Sequence, residues 1–150
     1  KPGEADSVVI AGMGGPLIIR ILSAYPEVTD SLKELILQPQ SEIPEVRRWL
    51  YEQGYEIMEE HMVFEDGKYY PMFKAVKNPQ AEKLTDLEYK YGKLSVLKEY
   101  SVLKAYLVRE IANKQAILNK LNEETTEKSR NRAEEIKTIL AELEEMRNEV

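Results

Sequence analysis

The sequence of 150 residues lacks cysteine, contains one histidine and one tryptophan, and has no long apolar run. Without cysteine there can be no disulfide and no thiolate metal site, so we expect a reducing cytoplasmic setting. No apolar segment approaches the ~18–20 residues of a membrane span, and the N-terminal residues lack the apolar core of a signal peptide. His61 has no evident partners for a metal site or a catalytic triad, and we interpret it as structural. These absences predict a protein without membrane segments or bound metal.

Charge is distributed unevenly along the chain. The formal net charge is −6, which argues against indiscriminate binding to nucleic acid. Residues 80–121 nevertheless carry a net charge of +3, between segments of −5 and −4. This distribution is a modest indication of an anionic partner, and a solvated helix surface explains it nearly as well.

Up to residue 79 the sequence alternates short apolar runs with amphipathic stretches. Ser7–Gly12 and Glu34–Pro39 are typical of strands, and each is followed by a helical pattern, the first with Pro16 in its first turn and the second over 44–53. Two further strand-like runs flank Glu65–Lys68, where Asp-Gly favours a hairpin turn. The order β-α-β-α-β-β predicts an α/β domain over residues 1–79, forming part of a doubly wound sheet. So few strands leave an open sheet edge, and we expect further strands ahead of residue 1 or from another chain.

From residue 80 onward the apolar period changes to three and four residues. One series runs from Leu97 to Leu121 and a second from Ala133 to Val150, with a polar stretch between them. Residues 80–150 are therefore predicted to form a helical hairpin with coiled-coil-like packing.

The glycine-rich run Gly12–Gly15 directly follows the first predicted strand. A dinucleotide-binding turn is one interpretation, but the third glycine of G-x-G-x-x-G and the acidic residue after the next strand are both missing. A second interpretation is a substrate loop beside Gln38–Gln40, because both segments follow strands whose carboxyl ends should meet at one sheet edge. A third is a tight turn that binds no ligand. The local sequence favours the last two about equally.

Several motifs together resemble a known family. They are DxVVIAGMGGxLI from Asp6, LILQPQ from Leu35, RxWL from Arg47, EDGKYY from Glu65 and LxxLExxYGxL from Leu84. This combination resembles the bacterial tRNA adenine-N1 methyltransferases that modify adenine 22 of the D-arm. The family usually has Asn where Gln40 stands and Pro where Lys93 stands. The resemblance implies the later part of a Rossmann-type methyltransferase sheet followed by a coiled-coil-like helical hairpin.

The resemblance also implies a cofactor, a substrate and site residues. S-adenosylmethionine would be the cofactor and tRNA the partner, with the N1 of an adenine as methyl acceptor. N1 of neutral adenine has a free lone pair, so a positioning loop without a general base would suffice. The expected residues are a positioning loop (Gly12, Met13, Gly14, Gly15), cofactor contacts (Ala11, Gly12, Met13), substrate contacts (Gln38, Pro39, Gln40, Tyr69) and RNA-backbone contacts (Arg47, Lys90, Lys93, Lys98, Lys104, Arg109).

A non-enzymatic function is the alternative. In that case the helical hairpin binds a protein partner and the α/β part is its scaffold. Binding of S-adenosylmethionine would distinguish the two interpretations.

Overall fold

The computed structural model describes residues 1–150, which divide into two compact units, Lys1–Glu99 and Tyr100–Val150. The first unit contains a four-stranded sheet, four helices and a 3₁₀ turn, and the second contains two long helices. In chain order the elements are β1 (Ser7–Met13), α1 (Gly15–Ala24), α2 (Pro26–Asp30), β2 (Glu34–Pro39), α3 (Ile43–Glu52), β3 (Tyr55–Glu65), β4 (Lys68–Lys77), α4 (Asp86–Tyr91), the 3₁₀ turn (Leu94–Val96), α5 (Tyr100–Glu123) and α6 (Glu127–Glu149).

The sheet has the strand order β1-β2-β4-β3. β1 and β2 are parallel and are joined by α1 and α2, whereas β4 is antiparallel to both of its neighbours. The predicted β-α-β-α-β-β order and mixed α/β class are therefore confirmed, with the short helix α2 as an unpredicted addition. β1 forms one edge of this sheet, where the Val9 side chain is 66% exposed.

The core of the first unit lies between the sheet and helices α1 and α3. α1 buries apolar residues at helical spacing, and α3 does the same, while β2 buries every second side chain. The fully or almost fully buried side chains include Ile18, Leu22, Leu35, Leu37, Val46, Leu50, Ile57 and Phe73. This packing fixes the carboxyl end of β2 relative to the beginnings of α1 and α3.

The β3–β4 hairpin has the two-residue turn that its sequence predicts. β3 ends at Glu65 and β4 begins at Lys68, and both intervening residues have positive φ, 48° at Asp66 and 77° at Gly67. Two successive left-handed residues match the twist of antiparallel strands, and Asp-Gly adopts this conformation at low cost.

Residues 80–99 belong to the first unit, contrary to the predicted boundary after residue 79. Leu84 and Tyr89 are buried in its core, and Thr85 begins α4 with a capping box that includes Glu88. The chain then pairs briefly with β3, where Leu97 bridges to Glu60. The boundary lies after Glu99 because these contacts join the connecting segment to the sheet.

The second unit is the predicted helical hairpin. α5 and α6 pack against each other, and Thr126 caps α6 by accepting a hydrogen bond from the Ser129 N–H. Their shared core comprises Leu118, Ala133, Ile136 and Leu140, with Ile111, Leu121 and Ile139 at its margin. Neither helix, nor any other in the chain, combines the length and the apolar character needed to cross a membrane.

Candidate functional site

A bulge interrupts the pairing of β1 with β2 at its carboxyl end. Ala11 pairs with Gln38 and Met13 pairs with Pro39, so Gly12 is an extra residue between two consecutive pairs. Gly12 has φ +71°, a left-handed conformation that glycine adopts without the steric penalty of a Cβ. The bulge leaves Ala11, Gly12 and Met13 all exposed at this end of the strand.

The two segments that the sequence predicts as neighbours are hydrogen-bonded to each other. The Gly12 N–H donates to Oε1 of Gln38 at 2.8 Å, and the Gln40 N–H donates to the Met13 carbonyl at 2.9 Å. The glycine run and the Gln38–Gln40 segment therefore form one continuous edge.

Only part of the glycine run is accessible at this edge. Gly15 is buried, and its N–H donates to the Ser41 carbonyl at 2.9 Å. A Cβ at Gly15 would lie 2.5 Å from that carbonyl oxygen and 2.9 Å from Cγ2 of Val46. Gly15 thus permits α1 to pack against the start of α3, and its inclusion in a substrate-facing loop is wrong. Gly14, the N-cap residue of α1, is half-buried.

The three predicted substrate contacts on β2 and after it differ in accessibility. Pro39 is buried, so its ring offers no surface to a ligand, and that prediction is wrong. Gln38 is half-buried, with Oε1 bonded to Gly12 and Nε2 donating to the Pro39 carbonyl at 3.4 Å. Gln40 is exposed, and its Nε2 lies 4.0 Å from the position that a Cβ on Gly12 would take. Gln40 alone of the three is exposed, with its carboxamide beside the bulge.

Tyr69 lies at the same end of the sheet as the bulge. Leu37 of β2 pairs with Phe73 of β4, so the first residues of antiparallel β4 extend past the carboxyl end of β2. The Tyr69 ring is half-buried and packs against Phe64, with ring centroids 4.6 Å apart. A role in substrate binding remains a prediction for Tyr69.

Arg47 is buried and cannot contact an RNA backbone, so that prediction is wrong. Its side chain is paired with Glu60, with Nε 3.0 Å from Oε1 and Nη2 3.3 Å from Oε2. Nη1 donates to the carbonyls of Tyr89 at 2.9 Å and Lys90 at 3.3 Å. Arg47 therefore joins α3, β3 and α4. The sequence did contain an indication that Arg47 is buried, because position 47 falls on the same helical face as Leu50 and Tyr51.

Gly92, which ends α4, packs directly against this ion pair. A Cβ at position 92 would overlap Oε2 of Glu60 and approach Nη2 of Arg47 to 3.5 Å. Gly92 also has φ +113°, outside the range that other residues readily adopt. There is therefore no room for a side chain at position 92, where the chain packs over the Arg47–Glu60 ion pair.

Lys93 is a second predicted RNA contact that the structure uses internally. Its Nζ lies 3.0 Å from Oε1 of Glu56, and its side chain is only 19% exposed. Burial alone lowers the pKa of Lys93, but the bonds to Glu56 and Tyr51 outweigh it and raise that pKa. Hydrogen bonds from Asn78 and Lys93 lower the pKa of Glu56. Lys93 is thus engaged within the first unit, and its contact with RNA remains a prediction.

The other predicted phosphate contacts are exposed and remain predictions. They are Lys90 in α4, Lys98 before α5, and Lys104 and Arg109 in α5.

His61 makes contacts of the kind expected from a structural residue. Its Nδ1 lies 2.9 Å from Oε1 of Glu99, whose Oε2 accepts from the Met62 N–H at 3.2 Å. Burial opposes the ionisation of Glu99, but these hydrogen bonds outweigh it and lower its pKa. No group of three or more His, Asp or Glu side chains is arranged to hold a metal ion.

The groups exposed at the bulge are suited to binding and orientation. None of the exposed residues Ala11, Gly12, Met13 and Gln40 has a side chain that titrates near neutral pH. The edge offers main-chain donors and acceptors, a thioether and one carboxamide. These groups can hold a flat polar group against the backbone.

Comparison with known proteins identifies relatives of this chain. The family model described as "TrmK: tRNA (adenine(22)-N(1))-methyltransferase" matches residues 1–145. A protein of Bacillus subtilis described as tRNA (adenine(22)-N(1))-methyltransferase is 44% identical over 75 residues, which are 50% of this chain and 32% of that protein.

Solved structures extend the similarity to nearly the whole chain. The crystal structure of the B. subtilis M1A22 tRNA methyltransferase TrmK has a TM-score of 0.77 at 29% identity, covering 98% of this chain and 65% of that one. The structure of M. capricolum TrmK in complex with S-adenosyl-homocysteine has a TM-score of 0.77 at 24% identity, covers 95% of this chain and 60% of that one, and shows similarity of fold alone. The chain thus spans less than two thirds of these relatives. On the match of the family model, the chain belongs to the tRNA (adenine(22)-N(1))-methyltransferase family.

Proposed function

We propose that this chain is part of an S-adenosylmethionine-dependent enzyme that methylates N1 of adenine 22 in tRNA. The observation that carries the proposal is the exposed main chain of Ala11–Met13 beside the Gln40 carboxamide at the carboxyl ends of two strands. Ligands of open α/β sheets bind at this end. Membership of the family and the substrate named for the B. subtilis relative support the choice of reaction.

The accessible residues at the bulge fit one wall of a cofactor site. Ala11, Gly12 and Met13 present little side-chain bulk apart from the Met13 thioether, which is 37% exposed. We assign these three residues to the cofactor, and the M. capricolum structure, described as a complex with S-adenosyl-homocysteine, supports the choice of cofactor. The cofactor, when bound, supplies a methyl group on a sulfonium. Gly14 and Gly15 contribute through the fold, by letting the bulge continue directly into α1.

The lack of a titrating side chain at the bulge suits an N1 acceptor. N1 of neutral adenine has a lone pair in the ring plane, so no proton has to leave before the bond forms. The enzyme must instead orient the base, which is worth roughly 7–11 kcal/mol in well-aligned reactions. Methylation at N1 leaves a positive charge on the ring, and main-chain carbonyl oxygens at the bulge can stabilise that charge.

Gln40 is the candidate residue for recognising the base. A glutamine carboxamide pairs with N6 and N7 of adenine through one donor and one acceptor. That edge of the ring leaves N1 free for methylation. Tyr69, at the same end of the sheet, is the candidate for stacking on a base that has been extruded from its helix.

Exposed basic residues supply the proposed contacts to the tRNA backbone. These are Lys90, Lys98, Lys104 and Arg109. Contacts of this kind act through charge and the release of counterions, so binding should weaken as salt increases.

A matched pair of glycine variants tests the proposal. Gly12 and Gly67 have φ +71° and +77°, and a Cβ on either has no neighbour closer than 4.0 Å. Changing either to Ala should therefore cost a similar ~1–2 kcal/mol of stability from the left-handed backbone. Only Gly12→Ala places a methyl group at the proposed site, so it alone should reduce methyl transfer.

Activity is measured as transfer of labelled methyl groups to unmodified tRNA. Both this chain and a form extended at residue 1 by the sequence that precedes the match in the B. subtilis relative are assayed. If neither form binds S-adenosylmethionine, the proposal fails. If both variants lose activity equally, the bulge has no special role. Binding of a protein partner without any methyl transfer would support the interaction-module alternative.

A further inference from the structure

The bulge at Gly12 separates a main-chain donor from the sheet. Because Gly12 stands between the pairs Ala11–Gln38 and Met13–Pro39, it has no partner residue of its own on β2. Its N–H is satisfied by a side chain instead, Oε1 of Gln38 at 2.8 Å. Main-chain pairing resumes at once, with the Gln40 N–H donating to the Met13 carbonyl.

We infer that Gln38 is a positioning residue for the proposed reaction and does not contact the substrate. Its carboxamide takes the place of the missing main-chain acceptor and thereby holds Gly12 in the left-handed conformation. The inference rests on the proposed function, since the segment held in this way is the proposed methyl-transfer surface. The two glutamines would thus have different roles. Gln38 stabilises the main chain at Gly12, and Gln40 faces outward.

The hydrogen bonds of Gln38 distinguish this role from substrate binding. Both ends of its carboxamide are engaged within the chain, Oε1 by the Gly12 N–H and Nε2 by the Pro39 carbonyl. A substrate contact through Gln38 would be limited to the second lone pair of Oε1 and the second N–H of Nε2, on a side chain that is half-buried. Gln40 is exposed at the same edge.

Two substitutions of Gln38 distinguish the effect of its hydrogen-bond acceptor from the effect of its side-chain shape. Gln38→Met retains the length of the side chain and removes the acceptor, whereas Gln38→Glu retains an acceptor oxygen. The first readout is hydrogen exchange of the Gly12 amide, followed by NMR in the 150-residue chain. We expect Gln38→Met to speed this exchange about five- to tenfold, in line with the removal of one hydrogen bond. Gln38→Glu should keep the rate near that of the unmodified chain.

A reference amide shows whether any change is local. The Gln40 N–H, bonded to the Met13 carbonyl, should exchange at an unchanged rate in both variants. Equal rates for Gly12 in the unmodified chain and in Gln38→Met would overturn the inference.

The second readout is steady-state methyl transfer by the form that methylates tRNA. If Gln38 positions the bulge, Gln38→Met should lower kcat by up to about a hundredfold and change the KM for tRNA by less than about twofold, as expected for misplaced reacting groups. A raised KM with unchanged kcat would assign Gln38 to substrate binding and overturn the inference. If no form methylates tRNA, the proposed function fails, but the exchange of the Gly12 amide still decides whether Gln38 braces the bulge.

Discussion

Removal of the Arg47 side chain tests the role of the buried ion pair in the first unit. Arg47 and Glu60 are 1% and 2% exposed, and the guanidinium also serves the carbonyls of Tyr89 and Lys90. Arg47→Ala would leave the Glu60 carboxylate buried without a counter-ion and would deprive both carbonyls of a donor. The cost should therefore greatly exceed that of removing an ordinary surface pair.

The magnitude follows from the burial of both partners. Breaking a buried pair by removing one member costs about 3–5 kcal/mol. Since a domain is stable by only about 5–15 kcal/mol, Arg47→Ala should remove a large share of the total. The double variant Arg47→Met with Glu60→Leu removes both charges and should recover most of that stability, because apolar replacements of similar volume are often neutral.

Arg48 provides a control on the same helix. It lies 3.2 Å from Asp86 and 3.9 Å from Glu45, and its side chain is 36% exposed. It also lies over the Tyr89 ring at 4.5 Å. Exposed pairs contribute about 0–1 kcal/mol and an exposed cation–π contact about 0.5–1 kcal/mol, so Arg48→Ala should cost about 0.5–2 kcal/mol.

Urea unfolding provides the measurement. Trp49 is the only tryptophan, and it lies on α3 beside both arginines, packed against the core of the first unit. Its fluorescence therefore reports the unfolding of that unit. If Arg47→Ala costs no more than Arg48→Ala, or if the double variant is as unstable as Arg47→Ala, the reasoning from burial is refuted.

Three further predictions concern packing, pH and salt. Gly15→Ala should lower the free energy of unfolding by about 1–3 kcal/mol through overpacking, because its Cβ would meet main-chain oxygen at 2.5 Å; thermal unfolding measures this. Hydrogen bonds hold the pKa of Glu56 below its ordinary value of 4.5, so the stability from its ionised form is present above that pH and disappears as pH falls through the lowered pKa. The stability advantage over Glu56→Gln should therefore shrink on acidification, as urea unfolding across that range can show. Replacing Lys104 and Arg109 together by Gln should weaken tRNA binding and reduce the slope of log affinity against log salt by roughly one unit for each phosphate interaction removed, measured by fluorescence anisotropy.

Each of these predictions has a result that would contradict it. An unchanged melting temperature for Gly15→Ala would mean that α1 and the loop before α3 move apart easily. A pH-independent difference between Glu56 and Gln would show that the two hydrogen bonds do not favour the ionised carboxylate. An unaltered salt slope for the double lysine–arginine variant would place the tRNA elsewhere on the protein.

The sequence predicted the features that depend on local pattern. Apolar runs of strand length located β1 and β2, and Asp66-Gly67 located the hairpin turn, because each signal arises within a few residues. The neighbouring positions of the glycine run and Gln38–Gln40 followed from parallel pairing of successive strands.

Features that depend on distant contacts were not predicted. The pairing of Arg47 with Glu60 joins a helix and a strand, and solvated helix charges are far more common than buried ones. The boundary after residue 79 was wrong because periodicity cannot show that the α4 segment packs on the sheet. The burial of Gly15 likewise depends on how α1 and the start of α3 approach each other, which no single segment encodes.

The fit of Gly92 over the Arg47–Glu60 pair links three positions that are far apart along the chain. A side chain at position 92 would displace the carboxylate, and removal of either charge would leave the other without compensation. A single replacement at any one of them is therefore harmful, whereas apolar replacement of Arg47 and Glu60 together, with Gly92 kept, can restore the packing. Among homologous sequences, positions 47 and 60 should accordingly covary, and position 92 should remain glycine.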